Sequence, residues 1–135
     1  MAQLEYLLDT NICIYIAKKA PLSVLEKFTA LSIDQVGMSC ITYGELLYGA
    51  EKSQRKIESF EILKNLTRLI PVLEIGASVS NYYAKTRAHL TSTGNIIGNN
   101  DLWIAAHCLD LGTTLVTHNT REFDRVLGLK VENWI

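Results

Sequence analysis

Short apolar segments that alternate with helical patterns restrict the fold more than any other feature of this chain. The strand candidates lie at 4–8, 36–40, 70–73, 114–117 and 129–132. Helical patterns occupy the intervals at 11–19, 41–53, 53–69, 75–92 and 99–111. Parallel neighbouring strands need crossover connections, which such helices supply. The alternation therefore predicts an α/β fold with a mostly parallel sheet of about five strands, covered by helices on both faces.

Length, charge and cysteine usage limit the class of protein. The chain has 135 residues and 48% hydrophobic content, which fits one compact domain spanning 1–135. The net charge of −1 excludes a general basic excess, so any site for a polyanion must be local. The acidic N-terminal segment predicts no secretory leader, and no apolar run approaches the ~18 residues of a membrane span. Cys13, Cys40 and Cys108 form no CxxC pair and are expected to be core residues in a reducing cytoplasm.

Acidic residues stand where the chain should reach the carboxyl edge of the sheet. Asp9 directly follows the first strand, and Glu45 falls in the first turn after the second strand. Asp101 begins a helix that returns to the strand at 114–117, so the start of this helix must lie at the same edge. That fourth strand ends in "THN", which brings Asn119 there as well. Since ligands of such sheets bind outside the carboxyl ends of the strands, we expect these groups to form a site.

Helix capping is the alternative role for each acid taken separately. Asp9 and Asp101 could stabilise helix N-termini. The "TYGE" sequence from Thr42 to Glu45 matches a capping box, in which the glutamate bonds back to the capping residue. Capping leaves the convergence of three acids unexplained, and carboxylates brought together repel one another unless a cation joins them. Hard oxygen ligands favour Mg²⁺ or Mn²⁺, and hydrolysis of a phosphodiester is the expected reaction.

Three blocks of sequence resemble a known family: "LLDTNICIYI", "SCITYGELLYGAEKS" and "IIGNNDLWIAAHCLDLGTTLVTHNTREFDRVLGLKVENW". Together they are similar to PIN-domain ribonucleases, specifically the VapC toxins of type II toxin–antitoxin modules, over essentially the whole chain. The resemblance implies a PIN-like three-layer α/β/α fold. It also implies that Asp9, Glu45 and Asp101 are the acidic metal-site residues, and that Asn119 stands where many PIN domains carry a fourth acid. The supporting polar shell that it implies consists of Thr10, Asn11, Ser39, Thr42 and Thr117.

The same resemblance implies a function and partners. VapC toxins are Mg²⁺-dependent endoribonucleases that inhibit translation by cleaving structured RNA at a single-stranded loop, often a tRNA anticodon loop. They form homodimers and are neutralised by a VapB antitoxin, whose C-terminal segment lies over the active-site groove. The toxin–antitoxin hetero-oligomer binds its own operator through the antitoxin. We expect the antitoxin to insert an arginine among Asp9, Glu45 and Asp101, because the guanidinium fork pairs with carboxylates.

Two other classes of protein remain as alternatives at this stage. A phosphatase of the haloacid-dehalogenase type also starts from an Asp at a strand end, but it needs a second acid two residues later, where this chain has Asn11. The second alternative is a catalytically silent PIN-like RNA-binding domain. The presence of all three principal acids argues against it.

Several residues could contact RNA, and His118, in "THN", is the histidine nearest to the expected site. Tyr48, Tyr82 and Tyr83 could stack bases, although tyrosines at helical spacing are more often core or interface residues. Scattered basic side chains are more typical of ordinary surface, but they could also supply phosphate contacts. They are Lys18, Lys19, Lys52, Arg55, Lys56, Lys85, Arg87, Arg121 and Arg125.

Overall fold

The computed structural model describes residues 3–135, so the first two residues of the expected domain lie outside it. Its five strands are β1 (Tyr6–Leu8), β2 (Val36–Ser39), β3 (Val72–Leu73), β4 (Thr114–Val116) and β5 (Lys130–Glu132). They form one sheet in the order β3-β2-β1-β4-β5, and every neighbouring pair is parallel. The predicted α/β fold with a five-stranded parallel sheet is confirmed.

Helices connect all of these strands. They are α1 (Thr10–Lys18), α2 (Leu22–Thr29), α3 (Cys40–Glu51), α4 (Lys56–Leu69), α5 (Ala77–Ser92), α6 (Asn99–Leu111) and α7 (Thr120–Phe123). A 3₁₀ turn at Ile33–Gln35 leads into β2. The chain therefore builds β1, β2 and β3 outward in one direction and then returns across the sheet to add β4 and β5 on the other side. Within residues 3–135, no helix is long and apolar enough to cross a membrane.

The predicted bounds differ from the observed ones for local reasons. The strand expected at 70–73 begins only at Val72, because the Ile70 N–H bonds to the Leu66 carbonyl at 2.9 Å and so closes α4. The strand expected at 36–40 ends at Ser39, which caps α3. The strands expected at 4–8, 114–117 and 129–132 are each shorter by one or two residues, and α1, α3, α4 and α5 also differ from their expected bounds by one to three residues.

Two helices and the 3₁₀ turn were not predicted. Helix α2 buries only Val24, so its apolar face is narrow, and the four residues of α7 are too few to show a helical period.

Alternating side chains on the central strands produce a core on both faces of the sheet. Leu7 and Leu115 are fully buried in a cluster with residues of α5 and α6. Leu8 and Val116, their neighbours along β1 and β4, are buried in a second cluster with residues of α1 to α4. Successive residues of a strand point to opposite faces, so each central strand serves both clusters. The result is the expected three-layer α/β/α arrangement. Cys13 and Cys108 are buried and Cys40 half-buried, all as free thiols.

Truncation of a central strand residue should test this arrangement. Leu115→Ala removes a fully buried side chain and should lower the free energy of unfolding by about 2–5 kcal/mol. Ile57→Ala, at a position on α4 that is 84% exposed, is the matched control and should change it by no more than about 0.5 kcal/mol. Urea unfolding of the purified variants measures both, and equal losses would contradict the two-sided core.

Candidate active site

Asp9 occupies the junction between the central strand and the first helix. Its backbone N–H bonds to the Val116 carbonyl at 2.9 Å, and its Oδ1 accepts from the Thr10 N–H at 2.8 Å, so it caps α1. Its Oδ2 accepts from Thr117 Oγ1 at 2.8 Å and from Asn11 Nδ2 at 3.5 Å. The side chain is only 4% exposed. Asp9 therefore both caps α1 and lies at the carboxyl edge of the sheet.

Glu45 does not take part in a capping box, so that alternative is wrong. Helix α3 begins one turn earlier than "TYGE" suggested, and Ser39 caps it by accepting from the Ile41 N–H at 3.2 Å. Glu45 is therefore inside the helix, and its Oε1 accepts from Thr10 Oγ1 at 2.7 Å. The same hydroxyl lies 3.3 Å from Thr42 Oγ1. Glu45 is thus directed across to the start of α1, beside Asp9.

Asp101 lies in the first turn of α6, with Gly98 at the capping position, so Asp101 is not the capping residue. Its pKa is raised to about 7, first by burial and then by the charges of Asp9, Glu122 and Glu45. Burial also raises the pKa of Asp9, with further contributions from Glu45 and Glu122, while hydrogen bonds from Thr117 and Thr10 oppose the shift. The carboxylates of Asp9, Glu45, Asp101 and Glu122 therefore influence one another electrostatically.

Glu122 is the acid that sequence reasoning missed. It lies in α7, its Oε1 accepts from the Gly98 N–H at 3.4 Å, and its Oε2 accepts from the Asn119 side-chain amide. A hydrogen bond with Glu122 also contributes to the raised pKa of Asp101. Asn119 was expected where a fourth acid would stand, but its amide is directed to Glu122. The available signal was an acid three residues beyond the strand-end asparagine, in "NTRE".

The expected supporting residues divide into two groups. Thr10, Asn11 and Thr117 bond directly to Asp9 or Glu45, and Thr42 reaches the site through Thr10. Ser39 bonds instead to the buried His107, with 2.8 Å between Oγ and Nδ1.

His107 and His118 form hydrogen bonds with Ser39 and Asn11 and not with a carboxylate of the site. Burial lowers the pKa of His107, which keeps that imidazole neutral inside the core. His118 is exposed, donates its backbone N–H to Asn11 Oδ1 at 3.1 Å, and sets its ring edge-on to Tyr15.

No basic side chain offsets the negative charge of this site in the part of the chain that the structure describes. The two ion pairs found there, Arg55–Glu58 and Lys56–Glu51, lie on the exposed surface of α3 and α4. Among residues 3–135, no three Asp, Glu, His or Cys side chains already enclose a space for a metal ion. The donor set nevertheless fits a hard divalent cation, because it consists of oxygens, carries uncompensated negative charge and lacks a thiolate or histidine cluster.

An apolar groove runs away from the acids between α1, α3 and α4. It has a volume of about 460 Å³ and begins at Thr10 and Glu45. Its apolar lining consists of Ile14, Ala17, Leu46, Ala50, Ile62, Leu63 and Leu66. We call this surface the α1–α4 groove.

Burial of Asp101 and its repulsion by neighbouring carboxylates should make the stability of the metal-free protein depend on pH. The folded-state pKa of about 7 exceeds the ordinary 3.8, so the folded state binds the proton more tightly. The cost of ionising Asp101 is then fully present above pH 7 and is lost as the pH falls from 7 towards 3.8. Asp101→Asn should therefore raise the melting temperature in chelator, by more at pH 8 than at pH 5.

The control for this experiment is Asp110→Asn, in the same helix, where the carboxylate bonds to Ser78 at 3.0 Å. This variant should show no such gain at pH 8. A pH-independent effect of Asp101→Asn would contradict the assignment of its raised pKa to burial and neighbouring carboxylates.

Comparisons with known proteins place this arrangement in a family. The PIN domain model matches residues 6–129. Ribonuclease VapC2 of Haemophilus influenzae is 38% identical over 132 residues, covering 98% of this chain and 99% of the relative. The tRNA(fMet)-specific endonuclease VapC of Shigella flexneri is 40% identical over 131 residues, covering 97% and 98%.

Solved structures of VapBC complexes are similar to this chain as well. VapBC2 from Rickettsia felis, bound to a DNA fragment from its promoter, matches with a TM-score of 0.92 and 37% identity, covering 98% of this chain and 100% of that one. VapBC-1 from nontypeable Haemophilus influenzae matches with a TM-score of 0.89 and 40% identity, covering 97% and 98%. The chain therefore belongs to the PIN-domain family and, within it, to the VapC ribonucleases of toxin–antitoxin systems.

Proposed function

We propose that this chain is a divalent-metal-dependent endoribonuclease toxin, and that it hydrolyses RNA at the rim formed by Asp9, Glu45, Asp101 and Glu122. The observation that carries the proposal is the convergence of these four carboxylates, from four separate elements, without a basic partner among residues 3–135. Membership of the PIN family removes the haloacid-dehalogenase alternative. The presence of all the acids opposes the other alternative, a catalytically silent PIN-like RNA-binding domain. Measurement of RNA cleavage by the wild-type protein tests it.

Mg²⁺ or Mn²⁺ is the cofactor that this donor set would hold. When bound among these carboxylates, such an ion would lower the pKa of a water molecule and offset charge on the phosphoryl group. Asp9, Glu45, Asp101 and Glu122 would supply the ligands, and the charge of the ion would relieve the repulsion that raises the pKa of Asp101. Because magnesium usually retains several waters, a partly open rim of carboxylates suits it better than a closed cage.

The polar residues around the acids hold them in place. Thr117 and the Thr10 N–H fix the two oxygens of Asp9, and the Thr10 hydroxyl fixes one oxygen of Glu45. Asn119 donates to Glu122, so we assign it a positioning role and assign the fourth acid to Glu122. Such orienting hydrogen bonds hold the carboxylates at one rim despite their repulsion.

Transfer RNA is the substrate that we propose, with cleavage in a single-stranded loop such as the anticodon loop. Support comes from the relatives in Shigella flexneri and Salmonella typhimurium, both named tRNA(fMet)-specific endonucleases, at 40% and 34% identity. Cutting a tRNA would inhibit translation, which agrees with a toxin.

Removal of one carboxylate tests the enzyme directly. Asp101→Asn keeps the shape of the side chain but removes a charge, and it should lower the rate of RNA cleavage by at least about 100-fold. Asp110→Asn, the same change farther along α6, should leave the rate unchanged. Glu122→Gln should cost more than Asn119→Ala, because losing an anionic oxygen weakens a cation site more than losing the group that positions it.

The same assay has further readouts that identify the mechanism. Chelator should stop cleavage, and added Mg²⁺ or Mn²⁺ should restore it. Products should carry 5′-phosphate and 3′-hydroxyl ends, because a water molecule activated by the cation, and not the RNA 2′-hydroxyl, would attack the phosphorus. Full activity of Asp101→Asn in chelator, or 2′,3′-cyclic phosphate ends, would refute this mechanism.

A VapB-type antitoxin is the partner that we propose for the α1–α4 groove. Complexes from Rickettsia felis, Haemophilus influenzae and Salmonella typhimurium were solved as VapBC assemblies, two of them with DNA. An amphipathic antitoxin segment would lay apolar side chains along the groove and place an arginine among the acids at its end. We further propose a toxin homodimer and a hetero-oligomer that binds its operator through the antitoxin.

Separation of binding from inhibition tests this model. Replacing the antitoxin arginine by alanine should relieve inhibition more than it weakens the complex, because apolar contacts supply most of the affinity. Ile62→Glu, in the groove and 50% exposed, should weaken the complex while RNA cleavage persists. Ile57→Glu, outside the groove lining, is the control. A strictly parallel fall of inhibition and pull-down strength for the arginine variant would contradict the model.

A further inference from the structure

A second cleft opens beside the acids, on the other side of Glu45 from the α1–α4 groove. It has a volume of about 790 Å³, and its walls include the outer surface of α3 and the start of α6. These two elements carry Glu45 and Asp101. Thr10, Ile14 and Glu45 line both the cleft and the groove, so the cleft is continuous with the carboxylate rim. We call it the α3–α6 cleft.

An aromatic side chain and a cation meet on its α3 wall. Tyr48 is 65% exposed, which is unusual for a tyrosine that has an apolar core available to it. Lys52 Nζ lies 4.8 Å from the centre of the Tyr48 ring, within the range of a cation–π contact. Both side chains line the cleft. An open aromatic ring beside an ammonium is the combination that binds a nucleobase together with its phosphate.

Helical spacing aligns this pair with the acids. Glu45, Tyr48 and Lys52 follow one another at intervals of three and four residues, so they lie along one face of α3. Along the helix, Tyr48 lies roughly 5 Å and Lys52 roughly 10 Å beyond Glu45 at ~1.5 Å per residue. A phosphodiester at the carboxylates would therefore have a neighbouring nucleotide, rather than the scissile one, at Tyr48.

Two glycines keep the cleft open at this point. Gly44 and Gly49 are inside α3, where glycine lowers helix stability relative to alanine. A Cβ added at either position would meet no atom within 4 Å, so packing does not require glycine there. Both residues line the cleft, and Gly44 lies one turn before Tyr48, on the side towards which a helical side chain leans. The space that these glycines leave is therefore available to a ligand.

We propose that Tyr48 and Lys52 form a nucleotide subsite in the α3–α6 cleft. Tyr48 stacks on an unpaired base next to the scissile phosphodiester, and Lys52 pairs with the phosphate of that nucleotide. This inference rests on the proposed ribonuclease function and adds the residues that select a single-stranded segment. Stacking requires an unpaired base, so the subsite favours loops over duplex RNA.

Steady-state cleavage of a hairpin RNA separates this role from a structural one. Tyr48→Ala should raise KM at least about tenfold, the scale of losing one base–aromatic stack, with kcat within about twofold of wild type. Tyr48→Phe keeps the ring and should restore KM to within about twofold. The matched control is Tyr82→Ala, at another exposed tyrosine on α5, which should behave as wild type.

Two further variants test the cation and the open space. Lys52→Ala should weaken RNA binding and reduce the slope of log affinity against log salt concentration by about one phosphate contact. The control is Lys64→Ala, at an exposed position on α4 outside the cleft lining. Gly44→Leu should fill the cleft, so KM should rise while the melting temperature stays equal or increases, because leucine favours a helix more than glycine does. A purely structural role for Gly44 could not produce both effects together.

The outcomes distinguish failure of the subsite from failure of the proposed function. Wild-type cleavage together with an unchanged KM in Tyr48→Ala and Gly44→Leu overturns the subsite alone. If the wild type does not cleave RNA, fluorescence anisotropy in chelator decides: equal RNA affinity of wild type and Tyr48→Ala, or no binding by either, overturns the subsite as well. Sedimentation of Tyr48→Ala should match that of wild type. A shift to a smaller species would instead assign this face to contact between two copies of the chain.

Discussion

The burial of acids, together with their mutual repulsion at one edge of the sheet, is the constraint on which the rest of this structure depends. Asp9 is almost fully buried, Asp101 is half-buried, and Glu45 and Glu122 add charge close to both. Ionisation of Asp9 and of Asp101 opposes folding in the absence of a cation, so the fold must be stable enough to hold these two acids at the rim. Hydrogen bonds from Thr10, Thr117 and Asn119 orient the acids without removing their charge.

The parallel sheet supplies the stability that holding these acids together requires, and it also brings the acids to one edge. Leu7, Leu8, Leu115 and Val116 lie on the two central strands and are fully buried, two in the cluster on each face. Because β1 and β4 are parallel neighbours, they deliver Asp9 and Thr117 to the same edge, where the two residues bond at 2.8 Å. The same register that buries the apolar side chains therefore brings the polar ones together.

The surfaces on the two sides of Glu45 differ in chemistry. The α1–α4 groove is lined mainly by aliphatic side chains and suits an amphipathic peptide. The α3–α6 cleft presents Tyr48, Lys52 and Asn100 and suits a nucleotide. Both contain Thr10, Ile14 and Glu45, so a peptide whose basic side chain reached the acids from the groove would compete with RNA lying in the cleft. In the proposed function, inhibition and substrate binding would therefore involve the same carboxylates.

The sequence by itself determined where the main strands and helices lie, through the spacing of their apolar residues. The order of these elements then fixes the edge of the sheet at which Asp9, Glu45 and Asp101 must lie. Period 2 and period 3.6 are local properties, and crossover topology follows from their order. The family resemblance, which rests on sequence alone, was confirmed as well.

Only the tertiary structure decided the details of side-chain contact. Glu45 bonds to Thr10 rather than to its own helix, Ser39 bonds to His107 rather than to an acid, and Glu122 joins the rim from a helix too short to show a period. The position at which α3 begins sets the direction of Glu45, and it depends on where the packing of β2 ends and Ser39 can cap. The contacts of Glu45 and Ser39 join residues far apart in the chain, so no local pattern in the sequence records them, and Glu122 left only the short "NTRE" signal.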